Sequence, residues 1–159
     1  MIKKFQFRLE QVLRHRANLL EMKERALAEV QAQLVRERQV LGGLLELKAE
    51  VLAELANLQA GEFVREERDL YQHYLDWLGE EQARELRAIS DLEALADAKR
   101  AELVGAQQDH KIVERLKERQ HGAYLQDLAR AEQGVLDEVA GTAFARLLRE
   151  AGDVRKGNG

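Results

Sequence analysis

Leucine returns at every seventh residue along the first part of this chain: Leu13, Leu20, Leu27, Leu34 and Leu41, with Lys48 in the next place and Leu55 after it. An α-helix turns once in ~3.6 residues, so a strict seven-residue repeat draws a narrow apolar stripe that winds slowly around the helix. Such a stripe leaves water only when a second helix packs along it, and the repeat therefore predicts a coiled coil. A thin helical rod encloses no cleft around a substrate, so the same feature argues against an enzyme.

The residue mixture agrees with the periodicity. The chain is 34% charged and 5% aromatic and contains no proline, a composition that leaves few positions for loops. Its hydrophobic fraction is swollen by alanine, and the large apolar side chains suffice for a seam rather than for a globular core. No cysteine is present, which excludes a disulfide framework or a cysteine-ligated metal. No apolar run approaches the ~20 residues of a membrane span. The basic start Met1-Ile2-Lys3-Lys4-Phe5 leads into polar residues rather than into the apolar region of a secretory signal, so a cytoplasmic location is expected. Residues 61–110 carry 13 acidic against 6 basic side chains, a balance that repels a phosphate backbone and argues against nucleic acid as a partner.

With the leucines at heptad position a, position d reads Arg16, Lys23, Val30, Glu37, Leu44, Val51 and Leu58. Arg16 and Lys23 have stems long enough to lie along a seam with the charge in water, whereas the shorter Glu37 marks its weakest point. The first helix is expected from about 7 to 59. Gly61 is the natural stop, with a turn over about 60–64, and the stretch from Glu62 to Glu67 puts acidic residues into the first turn of a second helix, where its dipole favours them. A turn this short makes the helices antiparallel and places Leu9 opposite the region of Val113.

The second helix, expected over about 65–148, carries a looser repeat. One series is Leu75, Gln82, Ile89, Ala96, Leu103, His110, Lys117 and Tyr124; its companion is Leu78, Glu85, Leu92, Lys99, Ala106, Val113 and Gln120. The fold expected is thus an all-α, two-helix antiparallel coiled-coil hairpin with an extended second helix. It forms one domain over 1–152, with a disordered tail at 153–159. Residues beyond about Gln120 should lack a partner within the chain. An apolar face nevertheless continues through Tyr124, Leu125, Leu128, Val135, Leu136, Val139, Phe144, Leu147 and Leu148, which implies an external partner or self-association.

Little in the chain resembles a chemical centre. No two of His15, His73, His110 and His121 stand three or four residues apart, so no helical metal pair is formed and no cofactor is expected. The acidic pairs Glu66-Glu67, Glu80-Glu81 and Asp137-Glu138 point about 100° apart on a helix and read as solvated faces. The aromatic group after the turn is more informative, because Tyr71, Tyr74 and Leu78 share a helix face and Trp77 lies beside them. Such a cluster either locks the end of a hairpin or offers a docking patch, since Tyr and Trp are enriched in interface hot spots.

Three segments, in order, carry a family resemblance. Phe5-Gln6-Phe7-Arg8-Leu9-Glu10-Gln11-Val12-Leu13 resembles the opening of the FliJ family, the small coiled-coil proteins of the bacterial flagellar type III export apparatus. Tyr71-Gln72-His73-Tyr74-Leu75-Asp76-Trp77-Leu78 resembles its segment after the central turn. Val113-Glu114-Arg115-Leu116-Lys117-Glu118-Arg119, with Tyr124 and Leu136-Asp137-Glu138, resembles its C-terminal pattern. The likeness extends from Phe5 to about Phe144.

The resemblance implies a stalk similar to the gamma subunit of rotary ATP synthases. Such a stalk inserts into the ring of the flagellar export ATPase (FliI-like), binds the export gate protein (FlhA-like) and escorts export chaperones, in support of flagellum assembly and motility. On the motif match, Tyr71, Tyr74 and Leu78 are the expected gate contacts. Gly42-Gly43 and Leu44-Leu45 depart from the tyrosine-bearing pattern of some members, so no first-helix contact carries over. The stalk analogy makes Phe7, Leu9, Leu13, Tyr124, Leu128 and Phe144 the expected contacts with the ATPase ring. Association with the inner face of the membrane would be peripheral, through the gate protein, without direct insertion. The equivalent stalk of a virulence injectisome and a generic coiled-coil scaffold are the competing readings.

Overall fold

The computed structural model describes residues 3–59 and 64–157. Two helices account for nearly all of them, α1 at Glu10–Gln59 and α2 at Arg65–Lys156, and no strand occurs among the described residues. The all-α expectation holds. The turn at 60–63, with Gly61, lies outside the described residues. The chain divides into two compact units, one of His15–His110 and one of Met1–Arg14 with Lys111–Gly159.

Within His15–His110, α1 and α2 run antiparallel along the seam that the heptads draw. Every a and d position from Arg16 to Leu58 on α1, and from Leu75 to His110 on α2, is buried or half-buried. Val30, Leu34, Ile89 and Ala96 form the interior, with Leu27, Leu41 and Leu92 packed against them. Small Ala96 faces the larger leucines, which lets the helix surfaces interlock. Two ion pairs set the direction. Arg16 meets Asp109 at 2.9 Å, and seven residues further along α1 Lys23 meets Glu102 at 3.0 Å, seven residues back along α2. Both basic side chains keep their charges at the rim, as long side chains at a seam do.

The Glu37 position is unusual. Glu85, the companion position on α2, approaches it across the seam within hydrogen-bonding reach. One carboxylate oxygen of Glu85 is buried with no donor facing it. The pair holds the Glu85 carboxyl above the ordinary glutamate range, first through the hydrogen bond to Glu37, then through burial and the charges of Glu37 and Glu81.

In the other unit the helix begins later than the expected position 7. The Phe7 carbonyl accepts from the Glu10 amide at 3.2 Å and the Leu9 carbonyl from Leu13 at 2.9 Å, so residues 3–9 lead into the helix without joining it. Phe5 sets its ring edge-on to His121, with centroids 5.0 Å apart, and beside Tyr124 at 5.6 Å. Glu10 pairs with Lys117 at 2.8 Å, about one turn further along α2 than a pairing centred on Gly61 gives. That offset, with the aromatic residues ahead of α1, covers α2 well past Gln120: Leu128 and Ala131 are still half-buried.

Every described residue from Glu132 to Gly157 is exposed. The helix continues to Lys156, beyond the expected end at Leu148 and through part of the stretch expected to be disordered. Arg155 and Lys156 in its last turn complement the negative end of the helix dipole.

Candidate partner-binding site

The start of α2 presents a compact aromatic surface. Leu70, Tyr74 and Trp77 stand four and then three residues apart, so they line one outward face of the helix. Tyr74 and Trp77 stack with centroids 5.8 Å apart and planes 13° from parallel. Trp77 is 49% exposed and Tyr74 39% exposed, although each is large enough to favour burial. Leu70, Tyr71 and Tyr74 border a shallow recess of about 370 Å³. Tyr71 is half-buried and donates its hydroxyl to Glu54 Oε2 on α1 at 3.4 Å. Partial desolvation, followed by the Glu54 carboxylate, raises that phenol above the usual tyrosine range.

Leu78 does not belong to this surface. It is 1% exposed, turned into the seam as its heptad position requires, and it holds the helices together there. Leu78, an expected gate contact, is therefore not on the exposed face: Trp77 and Leu78 are consecutive, and ~100° of helix rotation between them puts one outside and the other inside. The outward face carries Trp77 and Leu70 beside Tyr74. The heptad already assigns position 78 to the seam, and counting back from it gives the outward face.

The expected ring contacts divide in the same way. Phe7 is 8% exposed, so little of its ring is open to a partner. Leu13, Tyr124 and Leu128 are half-buried and Leu9 is exposed. Phe144 is 64% exposed, with Val135, Leu136, Val139, Leu147, Leu148 and Val154 exposed on the same segment.

Among the described residues, no cluster of three or more His, Asp or Glu side chains is placed to hold a metal. The recesses are open grooves, such as one of about 460 Å³ beside the seam between Leu34 and Ala96. Among the described residues, no helix is long and apolar enough to cross a membrane.

The model of one protein family, described as the flagellar FliJ protein, matches residues 5–149. The chain belongs to the FliJ family. That match spans the aromatic opening, the stripe at the start of α2 and most of the exposed end of α2, and it associates the chain with flagellar type III export. No curated protein and no solved structure matches the chain.

Proposed function

We propose that this FliJ-family chain is a non-enzymatic stalk that couples the export ATPase ring to the export gate and escorts export chaperones. The observation that carries the reading is the family match over residues 5–149. Its flagellar description favours flagellum assembly over a virulence injectisome. The exposed surfaces support the division of labour. The stripe of Leu70, Tyr71, Tyr74 and Trp77 is the gate-binding surface, with Leu78 acting beneath it as a support. Phe144 and its neighbours, with Leu9, Leu13, Tyr124 and Leu128, provide apolar contacts for the ring.

In this role the chain needs no catalytic group and no cofactor. It reaches the inner face of the membrane through the gate protein rather than by insertion. The test uses the purified chain with the hexameric export ATPase and with the soluble part of the gate protein. Stimulated ATP hydrolysis and retention on immobilised gate domain are the expected results. A chain that binds neither partner ends the proposal.

A further inference from the structure

The end of α2 poses a physical problem that the rest of the helix does not. From Glu132 onward it is a single helix with every described side chain exposed, and it contains Gly134, Gly141 and Gly152. An isolated helix of about two dozen residues with three glycines is marginal in water, because helices draw most of their stability from packing an apolar face. That face exists. Leu136, Ala140, Ala143 and Leu147 recur at spacings of four and three residues, Val154 follows one heptad after Leu147 with Glu150 in the place between, and together they form a coiled-coil stripe with nothing laid along it.

Two features of the segment say what fits it. The first is charge. Residues 132–141 carry Glu132, Asp137 and Glu138 and no basic side chain, whereas residues 142–156 carry Arg146, Arg149, Arg155 and Lys156 against Glu150 and Asp153. A parallel copy would lay acid beside acid, and an antiparallel copy lays the acidic half beside the basic half. The second is size. When the stripe is reversed upon itself, Leu136 falls opposite Val154 and Ala143 opposite Leu147, with Ala140 near Glu150 and Ala151. The small Ala143 then faces the larger Leu147 on both sides of the axis, as interlocking helix surfaces need. The Phe144 side chains of the two copies meet near the twofold axis. Arg146 also comes close to its own copy there, and Glu150, one turn on, offsets that charge.

We propose that the exposed end of α2 pairs antiparallel with the same segment of a second copy of this chain, so that the free protein is in reversible monomer–dimer equilibrium. A closed twofold contact of this kind covers the apolar stripe of both copies at once and leaves no further edge to extend. The contact is short and contains alanines, so the dimer is weak and forms on the micromolar scale or above. The inference does not rest on the export reading, because it concerns the purified chain alone.

Sedimentation equilibrium of the full-length chain over a hundredfold concentration range tests it. The expected result is a rise in average mass from one chain toward two, abolished by Leu147→Asp with the helical circular dichroism of the paired regions retained. Orientation is read separately. Because the chain has no cysteine, Leu136→Cys and Val154→Cys chains are prepared apart and then mixed under oxidising conditions. Cross-linking between the two variants, with little within either alone, is expected. A chain that remains monomeric at several hundred micromolar overturns the proposal. So does dimerisation that survives Leu147→Asp, or cross-linking of Leu136→Cys to itself in preference to Val154→Cys.

Discussion

Glu37 on α1 and Glu85 on α2 meet across the seam, each in a position where a coiled coil ordinarily places an apolar side chain. A proton on the Glu85 carboxyl turns that group into a donor toward Glu37 across the seam. The raised Glu85 value fixes the sign of the effect: this contribution to stability is full below the ordinary glutamate range and is lost as pH rises through the raised value. Glu37→Gln puts a permanent donor opposite Glu85. It should stabilise the fold at neutral pH by on the order of 1 kcal/mol and flatten this part of the pH profile. Urea unfolding at several pH values checks both results, and a variant less stable than the parent at pH 7 would count against the pairing.

The N-terminal residues add a second, local source of stability. Phe7 is buried, while Phe5 lies half-buried beside His121 and Tyr124. Phe7→Ala should cost about 3 kcal/mol or more by leaving a cavity the size of a ring, and Phe5→Ala distinctly less. Limited proteolysis is the direct measurement: cleavage ahead of α1 should accelerate in both variants, more in the first.

Glycine interrupts α1 at Gly42 and Gly43, yet the helix passes through both. A methyl group added at either position would meet nothing within 4 Å, and neither residue has positive φ. Replacing each by alanine should therefore raise stability by about 1 kcal/mol, the difference in helix propensity. A higher thermal midpoint for Gly42→Ala and Gly43→Ala, combined in one chain, is the expected outcome. A fall would mean that the glycines accommodate a contact absent from the free chain.

Much of this architecture was legible in the sequence because a heptad specifies which side of a helix is covered. Leu34, Val51, Ile89 and Ala96 are buried where the repeat places them. Register was less legible, since an antiparallel seam can slip by a turn and still bury apolar residues. Glu10 meets Lys117, and Arg16 meets Asp109, because that setting also pairs the charges. Phe5 and Phe7 were hidden from periodicity altogether: they precede α1, where no helical spacing applies. At the aromatic site, the motif match carried Leu78 over with Tyr71 and Tyr74, although its heptad position already turns it inward.

The outward stripe gives a prediction that separates binding from folding. Tyr74 and Trp77 stack on each other at the surface, whereas Leu78 beneath them lies in the seam. Tyr74→Ser with Trp77→Ser should leave the thermal midpoint nearly unchanged and reduce retention on the gate domain at least tenfold. Leu78→Ala should do the reverse, lowering stability by about 2–5 kcal/mol while weakening binding only where the helices part. Equal binding by the double variant and the parent would remove this stripe as the gate surface.

Lys23 and Glu102 offer the cleanest test of the register. The Lys23 ammonium reaches Glu102 Oε2 at 3.0 Å, and Lys99 approaches the same carboxylate at 3.6 Å. The hydrogen bond and charge of Lys23, followed by the charge of Lys99, hold the Glu102 carboxyl below the ordinary glutamate range. A depressed value works opposite to that of Glu85: the stabilisation is present above the ordinary glutamate range and is lost as pH falls through the depressed value. Lys23→Glu should lower the thermal midpoint at neutral pH, and adding Glu102→Lys should recover part of the loss, since Lys99 would then face a like charge. Both effects should shrink in molar salt, where exposed ion pairs are screened. Partial recovery in the double variant identifies the two residues as neighbours across the seam. Strictly additive losses would require a register other than the one in which Arg16 faces Asp109.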